Sequence, residues 1–178
     1  MEEKSGVKMF KVRKDLFETN SSSTHSISIR GKKKLDKSNL PICSKNNKVE
    51  GKFGEFGWEI ESYTSQEAKL SYILTLIAEI NNRKGNFCSF YELKDFKDVE
   101  NVIKKYCKCD GIDIGEEPKI RKYKYCNREY LSYDIDGYID HQSCEYESLQ
   151  DFLDYWDVTI EEFIFSPNVW LNTDNDNH

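Results

Sequence analysis

The pattern of apolar and polar positions predicts a long amphipathic helix over residues 65–83. Apolar residues recur there at intervals of three and four, which places them on one face of a helix. They are Leu70, Ile73, Leu74, Ile77 and Ile80. Thr64 and Glu67 have the spacing of a capping box, so we expect the helix to begin at this point. Gly85 follows the last basic residues of the segment and is typical of a helix C-terminus.

Other segments carry the same helical signals. Residues 91–106 have apolar residues on one side and lysines on the other, and residues 148–156 have an apolar face that ends at Trp156. Thr159 and Glu162 repeat the capping spacing, and the following Pro167 must end this short helical turn. We therefore expect about three helices and one helical turn.

Alternation with a period of two predicts strands in four segments. These are residues 8–17, 26–30, 119–125 and 129–138. The first two flank a polar run that we expect to form a loop. The last two are separated by a short polar break, which predicts a β-hairpin or meander. Shorter runs predict two more strands, one that ends at Tyr63 and one over residues 169–171.

The order of these elements favours an α+β fold with an antiparallel sheet. Strands, helices, strands, helices and a strand follow one another without regular βαβ alternation. A chain of 178 residues has the length of one domain, which we place at residues 1–172. Within it, residues 31–52 are rich in Lys, Asn, Ser and Gly and are expected to form a surface loop. Residues 173–178 are too polar to pack and are expected to be a disordered tail.

Composition and charge exclude several classes of protein. The chain is 38% hydrophobic and 13% aromatic, which argues against wholesale disorder. No apolar stretch approaches the roughly 18 residues of a membrane span, and the N-terminus lacks the apolar region of a secretory signal. The net charge of −6 is opposite to that of a non-specific nucleic-acid binder, so direct nucleic-acid binding is not expected. Six cysteines without a secretory signal suit a reducing cytoplasm.

The polar run from Glu18 to Ser26 is the first candidate for a binding site. Hydroxyl groups and backbone amides in a tight loop can hold an anion, and a serine near a histidine can act as a nucleophile when a third group orients the base. A polar turn is the alternative, because Asn and Ser side chains commonly hydrogen-bond to their own backbone. The ligand-binding candidates in this run are Glu18, Asn20, Ser21, Ser22, Ser23, Thr24 and His25.

The string FETNSSSTHS at residues 17–26 resembles the N-terminal signature of a group of uncharacterised bacteriophage and mobile-element proteins. The string YIDHQS at residues 138–143 is similar to a second segment of the same group. No established activity is attached to that group. The resemblance therefore implies a phage or prophage setting, in the cytoplasm of a bacterial host, rather than a reaction.

Asp140, His141 and Gln142 form the second candidate site, directly after a predicted strand. An Asp beside a His can serve as a metal or acid–base pair, whereas the alternative is a polar loop after a hairpin. If the fold brings His25 and His141 together, a two-histidine site results, with Asp140 and Ser23 as further catalytic candidates. A two-histidine phosphoesterase is disfavoured, since His-x-Ser occurs at His141 but not at His25.

Cysteines in the second half of the chain are a candidate zinc site. Cys107, Cys109, Cys126 and Cys144 supply four thiol groups. Structural zinc sites usually use Cys pairs separated by two residues, whereas this chain has Cys-x-Cys. We prefer free thiols, which pack like small apolar residues, and expect no cofactor.

An acidic and aromatic segment over residues 144–163 favours a binding function. It suits a partner with a basic surface, although the solvated side of amphipathic helices gives the same pattern. The partner-binding candidates are Glu147, Asp151, Asp154, Tyr155 and Trp156. We therefore expect a small acidic phage-type accessory protein that binds a host or phage protein, in its most concrete form an anti-CRISPR-like inhibitor of a nuclease defence system. The alternative is a hydrolase, a transferase or a nucleotide-sequestering protein with a Ser/His/Asp pocket for a phosphorylated ligand.

Overall fold

The longest helix, α1 (Gln66–Lys84), confirms the prediction for residues 65–83. The computed structural model describes residues 23–57, 59–125, 128–140 and 146–175. The helix begins one residue later than the capping pattern indicated, because Ser65, not Thr64, supplies the hydroxyl that accepts a hydrogen bond from the Ala68 amide at 3.2 Å. Gly85 ends the helix in the left-handed conformation, at φ 68°.

Helix α1 is buried on nearly all sides, although the sequence pattern predicted a single apolar face. The expected core residues are at most 1% exposed, and they are Leu70, Ile73, Leu74, Ile77 and Ile80. Lys69 and Thr75 are fully buried as well, because helices and strands from both halves of the chain pack around α1. The Thr75 hydroxyl donates to the Ser71 carbonyl at 2.9 Å and accepts from the Gly54 amide at 2.9 Å, so its burial leaves no polar atom unsatisfied.

Three shorter helices pack around α1. They are α2 (Lys94–Cys107), α3 (Leu149–Trp156) and α4 (Ile160–Phe165). A 3-10 turn at Phe90–Glu92 precedes α2, so this helix starts later than residue 91. The predicted capping box is present at α4, where Thr159 and Glu162 bond to each other's backbone amides.

An antiparallel three-stranded sheet combines strands from both ends of the described chain. In the order β1-β10-β5, they are β1 (Ser23–Ile29), β10 (Val169–Asn175) and β5 (Glu61–Tyr63). Leu171 in the middle strand lies opposite Ile27 on one side and Tyr63 on the other. Strand β10 continues past residue 172, and Thr173 is only 2% exposed. The expectation of a disordered tail is therefore wrong as far as Asn175, because Thr173 pairs with both neighbouring strands, and Asp174 and Asn175 pair with β1.

A second sheet includes two strands from the segment that was expected to be a surface loop, residues 31–52. Its strands are β2 (Ile42–Cys43), β3 (Lys48–Glu50) and β6 (Ile112–Asp113), and β3 pairs with β6 in parallel. Val49 is fully buried and Leu40 is 5% exposed. The segment therefore contributes to the core, and the loop prediction is wrong for these apolar positions.

Two glycines allow the parallel pairing of β4 (Glu55–Phe56) with β9 (Tyr138–Ile139). A Cβ atom on Gly137 would lie 2.6 Å from the carbonyl oxygen and 2.7 Å from the amide nitrogen of Gly54. The Tyr138 amide donates to that same carbonyl at 2.9 Å. The two backbones thus approach more closely at this point than any residue other than glycine permits.

The predicted hairpin is formed by β7 (Lys119–Tyr125) and β8 (Arg128–Asp134). Its second strand ends earlier than residue 138, since Tyr138 belongs to β9. Together, the helices and the mostly antiparallel sheets confirm the prediction of an α+β fold in a single domain. Among the described residues, no helix combines the length and the apolar character needed to cross a membrane.

Candidate functional site

His25 lies in β1 rather than in the expected loop, and its side chain is only 6% exposed. Its Nε2 atom is 3.0 Å from the carbonyl oxygen of Gly57, and its Nδ1 atom is 3.4 Å from the hydroxyl of Tyr72. Because a carbonyl oxygen only accepts, Nε2 carries the proton and donates to Gly57. Nδ1 then accepts from the Tyr72 hydroxyl, so both ring nitrogens are engaged within the protein.

The environment of His25 favours the neutral imidazole. Burial lowers the pKa of His25, and the hydrogen bond to Gly57 and the negative charge of Asp140 oppose this effect only in part. Tyr72 is itself fully buried, and its ring lies 4.9 Å from Phe56 and 5.8 Å from Phe152, measured between centroids. The His25–Tyr72 pair therefore belongs to an aromatic core, and the geometry supports a structural role for this histidine.

The two polar segments singled out in the sequence approach each other at the end of β4. The Gly57 carbonyl accepts from His25, and the carbonyl of the preceding Phe56 accepts from the Asp140 amide at 3.0 Å. The parallel β4–β9 pair thus brings Asp140 to the same end of the sheet as His25. Ser23 and Thr24 are the first two residues of β1. The remaining candidates of the two segments lie outside the described residues, and they are Glu18, Asn20, Ser21, Ser22, His141 and Gln142.

Helix α1 holds the chain on both sides of this second segment. The Ile139 amide donates to the carboxylate of Glu79, and Arg83 Nη2 donates to the carbonyl of Tyr146 at 2.6 Å. Burial raises the pKa of Glu79, which Arg83 and the Ile139 amide oppose. Residues 139 and 146 are therefore both fixed to the C-terminal half of α1.

A cleft of about 550 Å³ between α3 and α4 is the second candidate region. We call it the acidic cleft, and its charged lining residues are Asp154, Asp157, Glu161, Glu162 and Lys33. Lys33 Nζ is 3.2 Å from Glu162 Oε2 and 3.6 Å from Asp157 Oδ2, and it donates to the Asp157 carbonyl. The acidic cleft thus has four carboxylates and one lysine.

Four of the five partner-binding candidates selected from the sequence are exposed in the structure, and one is buried. Glu147, Asp151, Asp154 and Tyr155 are exposed, as a contact surface requires. Trp156 is only 3% exposed, and its Nε1 donates to the Tyr146 hydroxyl at 3.0 Å, so its selection as a contact residue is wrong. Its spacing had already placed it on the apolar face of α3, which faces the core.

Two residues contribute to these regions although the sequence gave little indication that they would. Lys33 looked like part of a solvated basic run, because its partners Asp157 and Glu162 lie more than 120 residues away. Tyr72 lies on the central helix, and a buried tyrosine hydroxyl usually needs a partner. Nothing in the sequence identified His25 as that partner.

Two of the four candidate zinc ligands lie within the described residues. Cys107 Sγ is 3.1 Å from the hydroxyl of Ser38, and burial raises the pKa of the Cys107 thiol. Cys109 is buried, with its sulfur 3.5 Å from the Gly111 carbonyl. Cys126 and Cys144 lie outside the described residues, and among the residues that are described no group of three or more His, Cys, Asp or Glu side chains is arranged to hold a metal ion.

Comparison with known proteins assigns a function to neither region. No protein-family model, curated protein or solved structure matches the chain. The side chains around His25 and in the acidic cleft are therefore the basis for a functional proposal.

Proposed function

We propose that this is a small phage-type accessory protein that acts by binding a host or phage protein with a basic surface. The acidic cleft between α3 and α4 carries the proposal. It is lined by four carboxylates and one lysine, and the exposed Tyr155 lies on the same helix as Asp154. Carboxylates steer a basic partner and set its orientation, and tyrosine supplies contact area at a low cost in entropy.

Part of the charge of the acidic cleft is exposed to a partner, most of all at Asp157. Asp157 has 83% of its side chain exposed, and Lys33 has 24%. The carboxylate of Asp157 lies at the surface, and ion pairs of surface groups contribute little to stability, so Asp157 can exchange Lys33 for an incoming basic group. The phage-like strings at residues 17–26 and 138–143 favour a target in host defence, most concretely a nuclease whose nucleic-acid groove is basic.

A hydrolase or nucleotide-sequestering protein is the second candidate function, favoured by the approach of Asp140 to His25. The ring nitrogens of His25 already bond to Gly57 and Tyr72, so His25 would have to lose one of these bonds to accept a proton from a substrate. This cost supports binding over catalysis.

Charge reversal in the acidic cleft tests the proposal. The variant Asp154→Lys/Asp157→Asn avoids Asp151, whose carboxylate accepts from the Glu147 amide at the start of α3. Asn at position 157 tolerates the left-handed conformation found there, φ 53°. We expect affinity for a purified RNA-guided defence nuclease, measured by biolayer interferometry at low salt, to fall about tenfold and to depend less on salt.

A matched variant separates the cleft from overall charge. Glu92→Lys/Glu116→Gln makes the same change in charge at exposed positions elsewhere and should bind like the wild type. The substitutions Asp140→Asn and His141→Ala should leave binding unchanged. If these two abolish activity in a phage-protection assay while the cleft variant retains it, the region where Asp140 approaches His25 is the functional site instead.

A further inference from the structure

The hairpin of β7 and β8 is exposed over most of its length. Every residue from Lys119 to Lys124 is exposed, and Glu129, Tyr130 and Leu131 on the returning strand are exposed as well. Near its base the ribbon is anchored through Tyr133, which is 2% exposed and whose hydroxyl donates to the Cys88 carbonyl at 2.8 Å. A two-stranded ribbon with solvent on both faces is marginal by itself, so its exposed side chains call for an explanation.

The hairpin is basic in an acidic chain. Its strands contain five basic and two acidic residues, a local net charge of +3, whereas the whole chain carries −6. The basic residues are Lys119, Arg121, Lys122, Lys124 and Arg128. Three of them form ion pairs at the surface: Lys119 with Glu116 at 3.7 Å, Arg121 with Asp134 at 2.7 Å and Lys122 with Glu129 at 2.5 Å. Exposed pairs of this kind are weak, so phosphate groups can compete for these cations.

One face of the hairpin also carries a tyrosine pair. Tyr123 and Tyr130 are directly opposite in the register, so their side chains lie on the same face, and they are 46% and 47% exposed. Arg121 is two residues from Tyr123 and lies on this face too. Exposed aromatic rings among cations are the combination with which proteins stack unpaired bases and hold their phosphates.

Protection of a sheet edge does not account for this surface. Lysines on an edge strand oppose aggregation, which explains part of the charge. Edge protection gives no reason for exposed Tyr123, Tyr130 and Leu131, since apolar side chains on a bare ribbon promote the aggregation that lysines oppose.

We infer that the β7–β8 hairpin binds single-stranded nucleic acid, with the tyrosine pair stacking on bases and the flanking cations contacting phosphates. This departs from the expectation drawn from net charge, because an overall charge of −6 conceals a local charge of opposite sign. None of these residues lines the acidic cleft, so this surface is separate from the proposed protein-binding site.

Fluorescence anisotropy with the full chain and labelled single-stranded DNA or RNA of about 20 nucleotides tests the inference. Lys119→Gln/Arg121→Gln, which removes two cations from the face that carries the tyrosine pair, should weaken binding about tenfold in 50 mM salt. It should also lower the slope of log K against log salt by about 1.4, the value for two lost phosphate contacts. Lys97→Gln/Lys105→Gln, which removes two exposed lysines of α2, is the matched control and should bind like the wild type. Tyr130→Leu keeps an apolar residue in the ribbon and should weaken binding about fivefold without changing the slope.

Several outcomes would overturn the inference. These are no binding of either single strand, stronger competition by duplex DNA than by single strands, or an equal loss in the α2 control. Binding to phosphatidylglycerol vesicles as tightly as to nucleic acid, with no effect of Tyr130→Leu, would indicate a general attraction to anionic surfaces. Melting curves of all variants establish that the fold is retained.

Discussion

The buried Lys69 makes a specific prediction about stability at alkaline pH. Its side chain is fully buried in α1, and its Nζ donates to the carbonyls of Ser166 at 2.8 Å and Val169 at 3.3 Å. No described carboxylate forms an ion pair with it. Burial lowers the pKa of Lys69 from 10.5 to about 8. The folded protein therefore releases this proton at a lower pH than the unfolded chain does.

The direction and size of the effect follow from proton linkage. Between pH 8 and pH 10.5 the unfolded chain binds more protons at this position than the folded protein, so the free energy of unfolding rises with pH. A pKa difference of about 2.5, at 1.36 kcal/mol for each unit, makes the rise about 3 kcal/mol. Below pH 8 the penalty for the buried charge is present in full.

The variant Lys69→Met isolates this contribution, because it removes the titrating group and keeps a long side chain. Urea unfolding, followed by tryptophan fluorescence under reducing conditions, gives the free energy of unfolding of both proteins. The wild-type value minus the variant value should increase by about 3 kcal/mol from pH 7.5 to pH 10.5. Titrations of tyrosines and cysteines occur in both proteins and cancel.

Lys97→Met, at an exposed position of α2, is the matched control and should give a difference that does not change with pH. A similarly flat difference for Lys69→Met would refute the lowered pKa. It would mean that water reaches Nζ or that an anion compensates its charge.

Two other substitutions test the packing around α1. Gly137→Ala should lower the free energy of unfolding by about 2 kcal/mol, because its methyl group would overlap the backbone of Gly54, and an unchanged urea midpoint would contradict their close approach. Ile77→Asp should destabilise by more than about 4 kcal/mol, since it buries an unpaired charge in the core. Asn101→Asp, on an exposed position of α2, should leave the melting curve nearly unchanged, and a normal curve for Ile77→Asp would mean that this face is not buried.

The helices were predictable because their signals are local. The spacing of Leu70 to Ile80 and the capping residues Thr159 and Glu162 act within a few residues of the chain, and the structure contains both. The burial of Lys69 was not predictable, since its carbonyl partners at Ser166 and Val169 are about 100 residues away. Local pattern identifies the apolar face of a helix but not which elements cover the other faces.

The errors in the strands and the site have the same origin. Residues 173–175 look solvated in the sequence, yet they belong to β10, where pairing with β1, and for Thr173 also with β5, outweighs their polarity. The β4 and β9 strands have two residues each, too few for any periodic signal, although they bring Asp140 towards His25. Trp156 was selected for its residue type, whereas its position on the face of α3 indicated burial.

The pairing of β1 with β10 has a consequence for synthesis on the ribosome. Ile29 pairs with Val169, so β1 emerges long before the strand that completes its hydrogen bonds has been translated. Strand β5 also remains unpaired until β10 is made, because β10 lies between β1 and β5 in the sheet. Until β10 arrives, the nascent chain exposes Ile27 and the edges of two unpaired strands, which is a state that chaperones bind. Completion of this sheet therefore waits for the synthesis of β10. A premature stop before Val169 should leave an aggregation-prone product even though α1, α2 and α3 are intact in sequence.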